Sequence, residues 1–459
     1  MNRIMMGKRY IISASVMTLL LFAGGCKQQT GDYRERAGDP DLYRRAMKKL
    51  SDVIVYDIFS PPVASRIYAY AAIAGYEGMA PQVHGYLSLA GQLHQLELPP
   101  QPDADLEYCF PVSSLWAFLK VSRALVFSEE QIGEFEDEIV RELRARGVPE
   151  RVLMRSIAYG DEVGNHILVW ASKDNYKQTR TFPKYTIQSE PNFWRPTPPD
   201  YMEGIEPHWN KIRPLVLDSA NQFVPPPPTP FSLDPDSQFY RELMEVYQIG
   251  QQLDSFQVEI ASFWDCNPYV SHHHGHAMFA TKKITPGGHW IGIASIASKN
   301  AGLDFMGTTE IFACTSIVLF DGFISCWDEK WRSILIRPET LINQYIDEDW
   351  LPLLQTPPFP EHTSGHSVIS AASATMLSHL LGDNFHFIDS TEVEFGLGVR
   401  VFDSFRQASD EAAVSRLYGG IHFMPAIKYG VMQGDQVGDL IVSRLRTRPR
   451  ELDDPVASN

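Results

Sequence analysis

The segment 308–335 constrains the fold of this chain more than any other part. Its apolar side chains cover nearly every face of the helix that their spacing predicts: Ile311, Phe312, Ile317, Val318, Leu319, Phe323 and Ile324. A helix that is apolar all round lies inside a protein core or inside a membrane. Asp321 interrupts the run, which disfavours a membrane span. The segment is therefore predicted to be the buried central helix of a protein core.

The rest of the chain also favours helices joined by long loops. Helical spacing of apolar residues covers 41–80, 128–175, 236–265, 365–382 and 424–446, and strand-like alternation is scarce. Between Glu190 and Asp236 the chain is proline-rich, with Pro225 to Pro228 in a row. So long an irregular stretch is typical of a functional loop or of a segment that wraps between domains. We predict an all-α fold of two helical bundles with long Pro-rich loops.

The N-terminus has the pattern of a secretory signal. Arg3, Lys8 and Arg9 precede a short apolar run over 11–23, and small residues then lead to Cys26. About 13 apolar residues are too few to span a bilayer. The pattern resembles a bacterial lipobox and predicts cleavage before Cys26 and lipidation of that residue, with simple secretion as the alternative. We expect a lipid-anchored protein of the bacterial cell envelope that faces the periplasm or the cell surface.

These features divide the chain into four parts. They are a lipoprotein signal peptide (1–25), a polar tether (26–40), an N-terminal helical half with the Pro-rich loop (41–235) and a C-terminal helical bundle (236–450). The 56 acidic and 40 basic residues give a formal net charge of −16. This charge disfavours a nucleic-acid partner, because phosphate contacts need clustered Lys and Arg. The lipid anchor is the only membrane contact expected, and the sequence carries no signal for an oligomeric state.

Four cysteines follow Cys26 in the chain: Cys109, Cys266, Cys314 and Cys326. Cys314 and Cys326 are predicted to share the central helix, where a spacing of 12 residues separates them by about 18 Å. That separation is too large for a disulfide bond. We expect buried free thiols.

Three short motifs carry the residues that point to chemistry, and the first is Lys330-x6-Arg337-Pro338. A spacing of seven residues is close to two helical turns, so the two cations are expected on one face of the central helix, one turn after Trp327. Pro338 is expected to end or redirect that helix. Cations that emerge from an apolar helix need an anionic partner.

The second motif is Thr363-Ser364-Gly365-His366, which precedes an alanine-rich helix. The free backbone N–H groups at such a helix start form an anion site. The Ser364 hydroxyl would add a donor, and His366 would face the bound anion.

The third motif is Ser415-Arg416-x5-His422, with Gly419-Gly420 inside it. On one continuous helix Arg416 and His422 would lie on different faces. The glycine pair permits a break, so that the two side chains come from different elements and reach one centre.

Together the motifs supply three cations, backbone donors at Ser364 and Gly365, and two histidines. Charge-assisted hydrogen bonds contribute roughly 1.5–3 kcal/mol each. Several of them offset the cost of removing a multiply charged anion from water. The motifs therefore predict a cage for a tetrahedral oxyanion.

In this order and spacing the motifs resemble the superfamily that joins type 2 phosphatidic acid phosphatases, bacterial acid phosphatases and vanadium-dependent haloperoxidases. The motifs run from Trp327 to His422, and the segments 263–265 and 285–290 also resemble bacterial haloperoxidase-type relatives, with weaker similarity over 65–70. The resemblance implies a helical double bundle like that of vanadium chloroperoxidase.

The resemblance also implies a role for each site residue. His422 would be the axial residue, which coordinates vanadium in a haloperoxidase and forms a phosphohistidine in a phosphatase. His366 would be the acid or base that moves protons. The equatorial oxygens of vanadate, or of phosphate in the same site, would be bound by Lys330, Arg337, Ser364, Gly365 and Arg416.

Two aromatic residues favour the haloperoxidase branch. Trp327 and Phe359 resemble the bulky groups that shape the halide side of the vanadium chloroperoxidase pocket, and the large N-terminal half also resembles haloperoxidases. The expected function is oxidation of halide by peroxide with vanadate as cofactor. A periplasmic or surface acid phosphatase acting on phosphate esters and a non-catalytic lipoprotein that binds such esters are the alternatives.

Some positions depart from the family pattern. In phosphatases the third motif continues His-x3-Asp, and that Asp orients the axial histidine. Ala426 stands at this position, which weakens the phosphatase interpretation because an unheld imidazole samples other tautomers. Thr363 replaces the usual proline. From the family context, Asp265 is expected to pair with Arg416.

A second candidate metal site is His272-His273-His274-Gly275-His276. Imidazoles at this spacing bind Zn, Ni or Cu. Contiguous histidines lack the i, i+4 spacing of a helical metal site, so adventitious binding is the favoured interpretation.

Overall fold

The computed structural model describes residues 32–274, 277–280 and 282–449, without the side chains of 271–274 and 277–280. Its α-helices are α1 (Tyr33–Ala37), α2 (Pro40–Tyr56), α3 (Pro61–Glu77), α4 (Phe110–Leu125), α5 (Glu129–Ala145), α6 (Glu150–Ala171), α7 (Tyr176–Thr179), α8 (Gln238–Gln251), α9 (Ser255–Phe263), α10 (Pro286–Asn300), α11 (Phe305–Ser333), α12 (Pro338–Tyr345), α13 (Gly365–Leu381), α14 (Phe405–Tyr418) and α15 (Met424–Arg444). Two antiparallel hairpins pair β1 (Ser271–His274) with β2 (Ala277–Ala280) and β3 (Phe387–Asp389) with β4 (Arg400–Phe402). The predicted signal peptide, Cys26 and the side chains of the histidine run lie outside the described residues.

Helix α11 is the centre of the molecule, as its sequence predicts. Asp304 caps its first turn by accepting a hydrogen bond from the Gly307 N–H at 2.7 Å. Its neighbours include α2, α3, α10, α13 and α15. Among the described residues it is the one helix long and apolar enough to cross a membrane, and its apolar window is wholly buried inside the protein. The helix thus draws on both halves of the chain to form one apolar core.

All six segments with helical spacing form helices, but three of them are helical pairs. The segment 41–80 divides into α2 and α3, 128–175 into α5 and α6, and 236–265 into α8 and α9. The helices α1, α4, α7, α10, α12 and α14 were not predicted, and α1 lies inside the predicted polar tether (26–40). The all-α fold class is confirmed, whereas the domain boundaries stay a prediction.

The Pro-rich stretch wraps over the central helix and is tied to it by Asp321. Both carboxylate oxygens of this buried residue accept backbone hydrogen bonds, from the N–H groups of residues 215, 216 and 217 at 2.7–2.9 Å. Burial raises the pKa of Asp321 to about 6, against the lowering effect of these hydrogen bonds. The buried carboxylate is tolerated in this apolar helix because backbone N–H groups of the irregular segment 215–217 donate hydrogen bonds to it.

A row of glycines lets α13 and α15 pack backbone against backbone. Gly430, Gly434 and Gly438 follow one another at four-residue spacing and so share one face of α15. A Cβ at Gly430 would lie 3.0 Å from the Ser364 carbonyl oxygen, and one at Gly434 would overlap the Val368 carbonyl oxygen. This packing fixes the start of α13, where the second motif lies.

The central helix ends earlier than its sequence predicts. Ile334 adopts a left-handed conformation (φ 50°) and closes α11 after Ser333, and Pro338 begins α12 instead of ending α11. Lys330 and Arg337 therefore do not share a helix, and the prediction that they do was wrong. The segment between Lys330 and Arg337 is held by the Pro-rich stretch, because the Trp194 N–H donates a hydrogen bond to the Ile334 carbonyl oxygen at 2.7 Å.

The cysteines agree with their prediction. Cys109, Cys266, Cys314 and Cys326 are buried free thiols. The two on α11 lie too far apart along the helix to form a disulfide bond.

Candidate active site

Lys330 lies in the last turn of α11 and is wholly buried. Its ammonium group donates to the carbonyl oxygens of Pro360 (2.9 Å) and Glu361 (3.1 Å). An ammonium group has three donors, so one N–H remains for a ligand. Burial lowers the pKa of Lys330 to about 7. The two backbone carbonyl oxygens therefore orient this ammonium group but compensate its positive charge only weakly.

Arg337 caps the start of α12, and its guanidinium is buried beside the third motif. Its Nε donates to the Phe359 carbonyl at 2.9 Å, and its Nη1 donates to the Ile421 carbonyl at 2.8 Å and contacts His422 Nε2 at 3.1 Å. Among the described residues, Nη2 has no hydrogen-bond partner although it is buried. The two N–H donors of Arg337 Nη2 are thus free to bind a ligand.

The second motif forms the first turn of α13, as predicted. Ser364 is its N-cap and accepts a hydrogen bond from the Ser367 N–H at 3.3 Å. A Cβ on Gly365 would lie 3.6 Å from the Trp327 ring and 4.0 Å from Lys330 Cε, so the helix start lies directly beside the end of α11. His366 Nε2 is buried and has no partner among the described residues. Burial, and next to it the charge of Arg416, hold the pKa of His366 well below its usual range.

Arg416 reaches the same region from the last turn of α14. Its Nη2 donates to the Trp264 carbonyl at 2.6 Å and its Nε to Ser415 Oγ at 2.9 Å. The expected ion pair with Asp265 is not formed. Asp265 instead pairs with Lys283. Burial lowers the pKa of Arg416, and the nearby Asp265 charge opposes that lowering.

His422 lies in the loop between α14 and α15 and is held by a carboxylate that the sequence did not reveal. As predicted, the chain breaks at the glycine pair, where α14 ends and Gly420 has φ 74°. His422 Nδ1 lies 2.8 Å from Glu361 Oε1, which also accepts the Phe423 N–H at 2.9 Å. Because this oxygen is an acceptor, Nδ1 carries the ring hydrogen and Nε2 carries the lone pair.

The protonation of His422 follows from its surroundings. Burial lowers its pKa well below the usual range, and the neighbouring cations, Arg337 first, lower it further. The ring is therefore neutral near pH 7, with a fixed tautomer. Burial raises the pKa of Glu361 to about 7, and Arg337 and Lys330 oppose that rise.

The interpretation that His422 lacks an orienting partner was wrong. Ala426 cannot supply one, but its carbonyl oxygen accepts the Ser364 N–H at 3.0 Å and so links the second and third motifs. Glu361 takes the orienting position from a different segment. Sequence reasoning missed it because it precedes His422 by 61 residues, and no spacing rule connects the two.

An aromatic wall closes one side of the site. The Trp327 and Phe359 rings lie 4.9 Å apart, and Phe323 contacts Trp327 at 5.3 Å between ring centroids. Lys330 Nζ lies 5.1 Å from the centre of the Phe359 ring. The wall excludes water from the cations and adds a cation–π contact.

Several of the predicted residues line one small cavity, whereas Lys330, Arg337 and Ser364 are buried and do not belong to its lining. Its volume is about 40 Å³, enough for a few water molecules or a compact anion. Its lining includes Asp265, Cys266, Trp327, Phe359, Gly365, His366, Arg416 and His422. The arrangement combines buried cations with a neutral histidine lone pair, which suits a tetrahedral oxyanion better than an extended organic molecule.

Comparison with known proteins identifies this arrangement. A family model described as the VCPO second helical-bundle domain matches residues 310–450. The crystal structure of a bacterial vanadium-dependent iodoperoxidase superposes with a TM-score of 0.86 at 48% sequence identity, over 90% of this chain and 98% of that one. The chain belongs to the vanadium-dependent haloperoxidase family.

Two more distant structures share the fold of this chain. The holo and apo forms of a bacterial vanadium-dependent chloroperoxidase have TM-scores of 0.65 and 0.63 at 17% and 16% identity. Each match covers 84% of this chain, and 93% and 94% of the respective chloroperoxidase chains. No curated protein sequence matches the chain. These two structures support the fold, and the family resemblance drawn from the three motifs is confirmed.

Proposed function

We propose that this enzyme binds vanadate in the cavity between α11, α13 and α14 and uses hydrogen peroxide to oxidise a halide, with iodide as the preferred halide. The observation that carries the proposal is the neutral His422, whose Nε2 lone pair faces a group of buried cations. A multiply charged oxyanion is the ligand that satisfies both. Iodide is proposed because the relative with 48% identity is an iodoperoxidase.

The donor set fits vanadate. Arg337 Nη2 and His366 Nε2 are buried and without partners among the described residues, and Lys330 retains one donor. The glycine at position 365 leaves the helix start open beside these cations. Lys330, Arg337, Arg416, Ser364 and the Gly365 N–H would hold the oxygens, and His422 Nε2 would coordinate the vanadium. When bound, vanadate supplies Lewis acidity that activates peroxide towards attack by halide.

The protein's own residues orient the vanadium ligand, move protons and exclude water at this site. Glu361 fixes the Nδ1–H tautomer of His422, so the lone pair lies on Nε2, where it accepts a hydrogen bond from Arg337 Nη1 at 3.1 Å that vanadium would replace. His366, kept neutral by burial and by Arg416, accepts a proton at Nε2 and returns it, as a general base and acid do. The aromatic wall of Phe323, Trp327 and Phe359 keeps bulk water away and strengthens every charge–charge interaction inside.

The decisive experiment assays the purified protein with and without vanadate. One arm supplies peroxide with iodide, bromide or chloride, and the other supplies a chromogenic phosphomonoester. We expect halide oxidation that requires vanadate and is fastest with iodide. His422→Ala should abolish it while the circular dichroism spectrum stays that of the wild type. A folded wild-type protein that oxidises no halide in the presence of vanadate would overturn the proposal.

Phosphate-ester hydrolysis is the second candidate, favoured by the contact between Glu361 and His422. A phosphohistidine mechanism needs a carboxylate that orients the nucleophilic imidazole, and Glu361 is such a carboxylate. Release of phosphate by the vanadate-free protein, inhibited by added vanadate, would support this activity. Phosphate release without any vanadate-dependent halide oxidation would favour it over the first proposal.

A further inference from the structure

A second group of chemically reactive side chains lies behind the active site. Cys266 follows α9, His289 lies in the first turn of α10, and Glu392 follows the β3 strand. All three are at least 97% buried. Their donor atoms approach one another closely. Cys266 Sγ lies 3.4 Å from His289 Nδ1 and 3.8 Å from Glu392 Oε1, and His289 Nδ1 lies 3.1 Å from that same oxygen.

These distances lie within about 0.2 Å of those around a small tetrahedral metal ion. Zinc lies about 2.3 Å from a thiolate sulfur, and about 2.0–2.2 Å from an imidazole nitrogen or a carboxylate oxygen. At a tetrahedral angle, two such ligands are separated by about 3.3–3.6 Å. One thiolate, one imidazole and one carboxylate are also a donor set that favours Zn²⁺ over Mg²⁺ or Ca²⁺.

The histidine is oriented as a metal ligand would be. His289 Nε2 lies 2.8 Å from Asp389 Oδ2 and donates to it, and Nδ1 faces Cys266 and Glu392, where a metal ion would replace its hydrogen. The Trp264 ring stacks on the imidazole at 4.4 Å and fixes its plane. A carboxylate behind the imidazole is the usual support of a zinc-bound histidine.

We propose that Cys266 Sγ, His289 Nδ1 and Glu392 bind one Zn²⁺ ion. Binding breaks the S–H bond of Cys266 and the Nδ1–H bond of His289. Both protons are released to solvent, and no electron is transferred. Two protons leave as one divalent ion enters, so the net charge of the buried cluster is unchanged. Cys266 also lines the active-site cavity, from which a water molecule would reach the fourth position.

The ion would support the active site from behind. Its three ligands would come from three segments of the chain: the residues after α9, the start of α10 and the residues after β3. The first of these segments carries Trp264, whose carbonyl oxygen accepts the hydrogen bond from Arg416. A metal at Cys266 therefore restrains one partner of the oxyanion cage without contacting the anion.

The test measures metal content, so it does not depend on haloperoxidase activity. The protein is produced without an affinity tag and in a His272→Ala/His274→Ala/His276→Ala background, incubated with Zn²⁺ and freed of excess metal by gel filtration. We expect about one zinc ion per chain, and its loss in Cys266→Ala. Cys314→Ala removes a buried thiol that has no part in the cluster, and it should retain the zinc.

Cobalt tests the ligands without any change in the cluster. Co²⁺ added to the metal-free triple-alanine protein should give the near-ultraviolet thiolate-to-cobalt charge-transfer band. Asp389→Asn should weaken zinc affinity roughly 10–100-fold, whereas Asp403→Asn, which changes an exposed carboxylate beside His386, should not. Absence of the cobalt band, or zinc retention by folded Cys266→Ala, would overturn the proposal.

Discussion

At the scale of single residues, the site depends on a carboxylate that orients a histidine. Glu361 Oε1 accepts from both His422 Nδ1 and the Phe423 N–H. The backbone carbonyl oxygen of Glu361 also accepts a hydrogen bond from Lys330 Nζ at 3.1 Å. One residue thus orients both the expected vanadium ligand and a cation of the oxyanion cage.

Removal of this carboxylate should weaken vanadate binding without unfolding the protein. We expect Glu361→Ala to lower vanadate affinity roughly 10–100-fold, because the His422 tautomer is no longer fixed. Glu361→Gln should recover part of the loss, since an amide oxygen accepts both hydrogen bonds. The measurement is vanadate titration by calorimetry. Glu329→Gln is the matched control, because burial also raises the pKa of Glu329 to about 7 but that residue pairs with Arg332. An equal loss in Glu329→Gln would contradict the role given to Glu361.

The charge of Lys330 should make anion binding depend on pH near neutrality. Burial lowers its pKa from 10.5 to about 7, so the residue is charged below that pH and neutral above it. Vanadate affinity should therefore fall as the pH rises through 7.

The comparison with Lys330→Met separates this effect from the titration of vanadate itself. One charge-assisted hydrogen bond contributes roughly 1.5–3 kcal/mol, so the variant should bind about 10–100-fold more weakly at pH 6. The difference in vanadate affinity between the wild type and Lys330→Met should be smaller at pH 9 than at pH 6. Lys120→Met, which removes a half-buried lysine that pairs with Asp161, should match the wild type at both pH values. An affinity ratio between wild type and Lys330→Met that does not change with pH would refute this assignment.

The sequence predicted the cations and histidines of the site because they occur in compact motifs with fixed internal spacing. Glu361 and the Cys266–His289–Glu392 cluster could not be predicted in that way. Cys266 and His289 lie 23 residues apart, and Cys266 and Glu392 lie 126 apart. Contacts of this range are set by how whole helices pack, and a single sequence carries no local signal for them.

At the scale of helices, the close approach of α13 and α15 positions the second motif. The glycines of α15 replace side chains at the contact, so that the Gly430 backbone lies against Ser364 and that of Gly434 against Val368. A shift of α15 would therefore move the helix start that carries Gly365 and His366.

A single methyl group at this contact should be enough to disturb it. We expect Gly434→Ala to destabilise the protein by about 1–3 kcal/mol, because a Cβ there overlaps the Val368 carbonyl oxygen and the helices must separate. Gly287→Ala in α10 is the control. Its Cβ would meet Phe323 at an ordinary 3.7 Å, and its stability should stay within about 1 kcal/mol of the wild type. Chemical denaturation of both variants measures the effect, and equal midpoints would argue against a tight contact.

The end of α11 shows why element boundaries were harder to predict than the elements. The break falls at Ile334, which adopts φ 50°. Isoleucine is a poor residue for a left-handed conformation, so the sequence gives no sign of a helix end at this point. Pro338 is a strong signal, but a proline is also well tolerated in the first turn of a helix, and here it begins α12.

At the scale of the whole molecule, the remaining proposal concerns where the enzyme is held. We propose that lipidation of Cys26 anchors it to the cell envelope. Cys26→Ser should move the protein from the membrane fraction to the soluble fraction and abolish incorporation of labelled fatty acid, while halide oxidation stays unchanged. Ser13→Ala, a change inside the apolar run, is the control and should leave the protein membrane-bound. Fatty-acid labelling that persists in Cys26→Ser would exclude this anchor.

The hydrogen bonds between Asp321 and the Pro-rich loop cannot form until both segments have been synthesised. The N–H groups of residues 215–217 emerge 104–106 residues before the carboxylate that accepts them. At a synthesis rate of roughly 5–20 residues per second, they wait about 5–20 s for it. Until then, the nascent N-terminal half also lacks α11, the helix against which α3 packs. Newly made chains therefore pass through a period in which apolar surface is exposed, and in this period they depend most on chaperones.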